Sequence, residues 1–203
     1  RAFDRQRADT PIYPARRVIV VGGGNVAMDA ARMALRLGAE EVHLVYRRTE
    51  AEMPARIEEV EHAKEEGVRF HVLHAPRRVM GNAAGRVTGL ECIRCRLGEP
   101  DASGRPAPVE IPGSEYVIEA DAVIVAIGNE PNPLIRQTTP GLQADRRGRL
   151  IVDPTTGQTS LPRVYAGGDV VLGSATVILA MGQGRQAAAA INAFLAGLPP
   201  RSA

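Results

Sequence analysis

Tryptophan is absent and aromatic residues make up only 3% of the 203 positions, too few for the stacking platforms that bind single-stranded nucleic acid. The two cysteines cannot build a disulfide scaffold and fit a reducing, cytoplasmic setting. No apolar run approaches the roughly 20 residues that a membrane-spanning helix requires, and no basic-then-apolar leader opens the chain. Charge of one sign is also scarce: the formal net charge is +2, so no strong field points to nucleic acid or to a membrane surface. What is present is a globular balance of 44% hydrophobic and 24% charged residues, the proportions of a chain that buries a core. The first residues, Arg1-Ala2-Phe3-Asp4, contain neither an initiator Met nor a capped element, and they fit an ordinary processed terminus or a cut inside a longer protein.

Residues 1–15 are polar, with Pro11 and Pro14 near their end, and read as a linker. Residues 17–21 form an apolar, β-branched run, the pattern of a strand buried on both faces. Residues 25–37 carry Val26, Met33 and Leu37 among alanines and stop at Gly38, which predicts a helix. A second strand is expected over 42–46, a surface helix over 54–66 ending at Gly67, and a third strand over 68–73. Strand and helix alternating in this way predict a right-handed, doubly wound unit on a parallel sheet. Residues 86–97 and 114–119 then alternate about a turn-rich stretch, 98–113, that holds Pro100, Pro106, Pro108 and Pro112; they predict an antiparallel excursion. A further buried strand is expected over 122–127. Beyond Pro131 and Pro133 the chain is irregular, apart from short apolar runs at 150–152 and 164–166, and it ends in an Ala-rich helix over about 176–195. The expected fold is α/β and Rossmann-like, with an NAD(P)H-binding domain over residues 16–130.

The sharpest motif is Val18-Ile19-Val20-Val21-Gly22-Gly23-Gly24-Asn25-Val26-Ala27, a G-x-G-x-x-A turn between a strand and a helix. Gly22 permits the tight turn, Gly24 lets the backbone approach a pyrophosphate, and Ala27 allows close packing of helix on strand. The helix N-terminus then offers free N–H groups and a positive dipole end to phosphates. NAD-specific sites place an acid at the tip of the next strand to bind the ribose hydroxyl. Here that tip reads Tyr46-Arg47-Arg48. Two guanidinium groups suit a 2′-phosphate, so the expected nucleotide is NADPH. Ala126-Ile127-Gly128 and Ala166-Gly167-Gly168-Asp169 each end an apolar run in a glycine turn. Asp169 there can reach a ribityl or ribose hydroxyl of a second dinucleotide, or serve as a turn residue or N-cap.

At this point the chain resembles the small (beta) subunit of NADPH-dependent glutamate synthase and the related NADPH:ferredoxin oxidoreductase, or sulfide dehydrogenase-like, flavoproteins. The resemblance rests on the Gly22–Asp29 turn and helix, Tyr46-Arg-Arg-Thr-Glu-Ala-Glu-Met-Pro54, Leu97-Gly-Glu-Pro-Asp-Ala-Ser-Gly104 and Ala126-Ile-Gly-Asn-Glu-Pro-Asn132. It continues through Ala166-Gly-Gly-Asp169 and Ala175-Thr-Val-Ile-Leu-Ala-Met-Gly-Gln-Gly184. The resemblance implies a two-dinucleotide-binding flavoprotein fold in which residues 131–203 rejoin an FAD-binding domain. It places Asp169 near the ribityl chain and Thr176 near the isoalloxazine edge. It also implies Fe–S clusters in the parent protein, and an electron acceptor that is the glutamate synthase large subunit or a carrier such as ferredoxin. The family's first FAD fingerprint and its cysteine-rich region have no counterpart in this chain, so the flavin site is expected to be incomplete here.

Other residues attract bland readings. On an alternating strand, Cys92 and Cys95 point to opposite faces, so the C-x-x-C does not converge on a metal or a redox disulfide. His43, His62, His71 and His74 lack metal-like spacing, and Glu52, Glu58 and Glu59 read as a solvated helix face. No Ser/His/Asp or paired-carboxylate arrangement is recognisable. Hydride transfer needs none, because the cofactors carry that chemistry and the protein positions them. The competing classes are a nucleotide-binding module without redox turnover and a stand-alone dehydrogenase, which would need a Tyr/Lys pair at the nicotinamide.

Overall fold

A computed structural model describes residues 13–101 and 104–197. Of the linker expected over residues 1–15, residues 1–12 lie outside the described residues. The chain divides into two compact units, the first running to Ile127 and the second starting at Gly128.

The first unit is built on a parallel sheet of β1 (Arg17–Val21), β2 (Glu41–Tyr46), β3 (Arg69–Val72) and β8 (Ala122–Val125), in the order β3-β2-β1-β8. The β-branched runs give each central strand two apolar faces, and the two faces go to different partners. Val18, Val20, Val42 and Leu44 pack against Ala27, Met28 and Ala31 of α1 (Asn25–Arg36) and Val60 and Ala63 of α2 (Ile57–Glu65). Ile19, Val21 and Val45 face the other way, onto Leu90, Cys92, Ile118 and Ala120. Both helices therefore lie on one face, and the antiparallel strands occupy the place of a second helical layer.

Both helices stop by the same device. Gly38 and Gly67 take positive φ (100° and 97°), and the amides after them, Ala39 and Val68, reach back to the Ala34 and Ala63 carbonyls. This left-handed glycine satisfies the last carbonyls and launches the next strand. The helix expected over 54–66 is shorter, because Met53 is extended and Pro54 follows; a 3₁₀ turn, Glu50–Glu52, precedes it. Glu52 folds back on the start of this turn: Thr49 N and Oγ1 donate to Glu52 Oε2 at 2.9 and 2.6 Å, and Glu52 N donates to Thr49 O at 3.3 Å.

The excursion is larger than expected. Strands β4 (His74–Gly81), β6 (Pro106–Glu110) and β7 (Tyr116–Glu119) each pair with the long β5 (Val87–Pro100). The sequence pattern predicts no strand over 74–81 and only a turn-rich stretch over 98–113. Pro76 sits at a bulge, and Pro108 lies in β6, which pairs with β5 alone; these are the places where a sheet tolerates proline. Leu73, with φ of 59°, turns the chain from the parallel sheet into the antiparallel one.

In the second unit the runs at 150–152 and 164–166 form only isolated bridges, Ala144 to Leu150, Val152 to Thr159 and Gln158 to Tyr165. Short helices α3 (Pro133–Thr138) and α4 (Asp169–Leu172) precede α5 (Val177–Ala196), capped by Thr176. Among the described residues, no helix is long and apolar enough to cross a membrane.

Candidate functional site

The turn after β1 is shaped by three glycines with three different reasons. At Gly22, where φ is 148°, a Cβ would lie 2.3 Å from the Ala126 carbonyl oxygen, so no other residue fits. Its amide also donates to Val45 O at 3.0 Å, locking the turn between β2 and β8. At Gly23 a Cβ would strike the Tyr46 ring at 2.6 Å. At Gly24 the nearest neighbour of a Cβ is Pro54 Cγ, at 3.8 Å; the space there is open. Gly24 is the N-cap of α1, and the first turn carries no side-chain cap and no acid. Ala27 is fully buried while Val26 is 70% exposed. An uncapped helix N-terminus beneath an open glycine fits a pyrophosphate, which would supply the missing acceptors.

The segment after β2 is fastened to this turn. Ala55 N donates to Gly23 O at 3.1 Å, and Arg56 N donates to Asn25 Oδ1 at 2.9 Å. Tyr46 lays its ring on Gly23 and donates its hydroxyl to Glu52 O at 2.7 Å. Arg47 is exposed, as is Arg56. Arg48 is placed otherwise than expected. Its side chain is 2% exposed, and it donates from Nε to Pro106 O at 2.7 Å and from Nη2 to Asp101 Oδ2 at 2.5 Å. Of the two arginines assigned to a 2′-phosphate, only Arg47 presents its charge to solvent. Arg48 turns inward because Asp101 and Pro106, the latter at the start of β6, supply acceptors that a turn-rich stretch over 98–113 does not predict. The sequence carries no signal for Arg56 beyond its place just before α2, because its proximity to Asn25 is a tertiary fact.

Ala126 closes the turn from the β8 side through its carbonyl, and its amide donates to Val21 O at 2.8 Å. Ile127 is 73% exposed, and Gly128 takes φ of 93°. In the second unit, the Ala166–Asp169 and Ala175–Gly184 motifs meet. Gly168 N donates to Gln183 Oε1 at 2.7 Å, and a Cβ on Gly167 would lie 3.0 Å from Gln183 Cβ. Asp169 Oδ1 accepts from Ala175 N at 3.4 Å. Thr176 accepts from Leu179 N at the start of α5, where Val177 and Ile178 are 75% and 81% exposed.

Three of the four histidines are less scattered than their spacing suggested. His43 Nδ1 lies 2.8 Å from His71 Nε2, His71 Nδ1 lies 3.4 Å from the Tyr116 hydroxyl, and His74 meets Tyr116 edge to face. Burial pushes His43 and His71 below the ordinary histidine range, His71 to about 4 with help from the neighbouring His43 and His74 charges. Among the described residues, no group of His, Cys, Asp and Glu is arranged to hold a metal ion. Cys92 and Cys95 are both buried free thiols; burial first, and Glu91 second, raise Cys92 to about 11.

A parallel sheet with a glycine turn at its carboxyl edge, backed by an antiparallel sheet, defines a dinucleotide-binding α/β protein of the two-domain flavoprotein type. The chain belongs to the pyridine nucleotide-disulphide oxidoreductase family, whose model matches residues 2–192. It is 48% identical over 185 residues to the beta subunit of NADP(+)-dependent formate dehydrogenase from Moorella thermoacetica, covering 91% of this chain and 26% of that protein. It is 41% identical over 183 residues to the glutamate synthase [NADPH] small chain of Escherichia coli (strain K12), covering 89% of this chain and 39% of that protein. The thioredoxin reductase of T. acidophilum superposes with a TM-score of 0.71 at 25% identity, over 89% of this chain and 53% of that structure. The chain thus spans less than half the length of these two curated relatives.

Proposed function

We propose that this chain is the NADPH-binding portion of a flavin-dependent oxidoreductase. One observation carries the reading. The N-terminus of α1 is uncapped beneath the open Gly24, and the strand tip beside it ends in exposed Arg47 with no acid in its place. Gly22 to Ala27 hold the pyrophosphate, Arg47 meets the 2′-phosphate, and Arg56 adds a second cation next to Asn25. Tyr46 fixes the spacing between them by bridging Gly23 and Glu52. Bound nicotinamide and flavin supply the hydride transfer; the protein groups bind and orient. In the second unit, Gly168, Asp169 and Thr176 are assigned to the flavin side, a role supported by the close packing of their two motifs through Gln183.

The specific assignment is the glutamate synthase small subunit, in a protein whose Fe–S clusters carry electrons on to a partner subunit. The likeness to a glutamate synthase small chain supports it. A formate dehydrogenase subunit of similar identity carries the same segment. The segment therefore serves the donor side, and the acceptor is chosen elsewhere in the longer protein.

Titration of the purified protein with NADPH and NADH tests the nucleotide. A charge-assisted bond is worth about 1.5–3 kcal/mol, so Arg47→Ala should weaken NADPH by about ten- to a hundredfold and leave NADH nearly unchanged. Equal affinities of the wild type for both nucleotides would remove the basis of the proposal.

A further inference from the structure

Arg48 is the largest fully buried side chain among the described residues, and a buried guanidinium is tolerated only when paired and hydrogen-bonded. Its two partners are remote in sequence: Asp101 follows the end of β5 and Pro106 opens β6. The side chain therefore ties the tip of the antiparallel excursion to the end of β2. The main chain is held as well. Arg48 O accepts from Leu73 N at 2.9 Å, and Leu73 O accepts from Cys95 N at 2.7 Å. On the other side of Arg47, the Tyr46 ring rests on Gly23. Arg47 is thus an exposed side chain between two clamped neighbours.

We propose that Asp101 is a positioning residue for nucleotide selectivity. It holds Arg48 and so fixes the backbone from which Arg47 reaches the 2′-phosphate. The inference rests on the NADPH reading above. It adds that the acid governing selectivity stands on the far hairpin, paired inward, rather than at the tip of β2. Without the Asp101 carboxylate, the Arg48 charge keeps the Pro106 carbonyl but loses its counter-ion, and the side-chain half of the clamp beside Arg47 loosens while the Leu73 bond remains. Arg47 then loses its preset direction, and ordering it on binding weakens NADPH, whereas NADH makes no demand on it.

The test is a binding comparison in the intact protein, with NADPH and NADH as probes. Asp101→Asn should weaken NADPH by about three- to tenfold, the cost of immobilising one long side chain on binding, with NADH changed by less than about twofold. Asp101→Glu should recover most of the loss. Where Asp101→Asn fails to fold, Arg48→Met removes the buried charge and leaves Asp101, 34% exposed, in place at the hairpin tip. Arg48→Met should lower the NADPH-to-NADH ratio to the same degree, and the double variant should lower it no further. Equal weakening of both nucleotides would reduce the pair to a structural brace and overturn the inference. So would an unchanged ratio in Asp101→Asn and Arg48→Met alongside a ratio abolished in Arg47→Ala, an outcome that leaves the NADPH reading standing. A wild type without preference for NADPH overturns both.

Discussion

Gly23 and Gly24 are neighbours with opposite meanings, and single alanine substitutions separate them. A methyl at Gly23 overlaps the Tyr46 ring at 2.6 Å, and that ring is held by its hydroxyl bond to Glu52. Gly23→Ala should therefore cost about 1–3 kcal/mol of folding stability, as overpacked cores do. A methyl at Gly24 meets nothing closer than 3.8 Å, and the backbone there (φ −93°, ψ 175°) is one that alanine adopts. Gly24→Ala should unfold within about 1 kcal/mol of wild type, the scale of an N-cap change, yet bind NADPH at least about tenfold more weakly because the methyl fills the space left for phosphate. Urea unfolding and nucleotide titration of the two variants check this; a Gly24→Ala protein with wild-type affinity would mean that the phosphate lies elsewhere. The glycines were legible in the sequence because a turn between a strand and a helix leaves few alternatives. The inward turn of Arg48 was not, since a side chain's exposure depends on acceptors contributed 53 and 58 positions away.

Strands with two apolar faces announced themselves, and β1, α1, β2 and α2 lie within a residue or a turn of their expected bounds. The strands β4 and β6 were hidden by proline, which reads as loop unless the edge or bulge that tolerates it is known. The histidine cluster was hidden for a related reason: β2, β3 and β4 bring together residues that spacing along one strand keeps apart. The cluster has a consequence for pH. His43 faces Glu41 at 3.5 Å and the Arg69 charge; His71 faces His43, His74, Arg69 and Tyr116. Burial holds His43 and His71 below the unfolded value of about 6.5, so the folded state refuses protons that the unfolded chain accepts. This contribution to stability is complete above about pH 6.5 and is lost as pH falls toward about 4. The loss is on the order of 2 kcal/mol. Urea unfolding at pH 7.5 and pH 5 should show the decrease, and His71→Asn should flatten it; an unchanged slope in the variant would place the pH sensitivity in other groups.

At the scale of the whole molecule, the two units differ in how much they bury. The first contains two clusters of fully buried side chains on opposite faces of its parallel sheet. In the second, Leu142, Leu150 and Ala187 are the buried apolar side chains among the described residues, and α5 exposes Val177, Ile178, Leu179 and Met181. Local opening is easiest where few apolar contacts must be broken. Hydrogen exchange of this chain should show the amides of Ile19, Val20 and Leu44 protected roughly a hundredfold or more beyond those of 180–183. Equal protection would mean that the two units open together.

The closure of the nucleotide turn by β8 has a bearing on synthesis. Asp121, just before that strand, accepts from the amides of Arg16 and Arg17, and the first of these bonds spans 105 positions. Ala126 follows as the wall that Gly22 presses against. At roughly 5–20 residues per second, a ribosome delivers this wall seconds after the turn itself has emerged. Through that interval the most recognisable motif of the chain has β2 beside it but lacks its other side. The fingerprint that a reader of the sequence finds first is among the last parts of its domain that a nascent chain can complete.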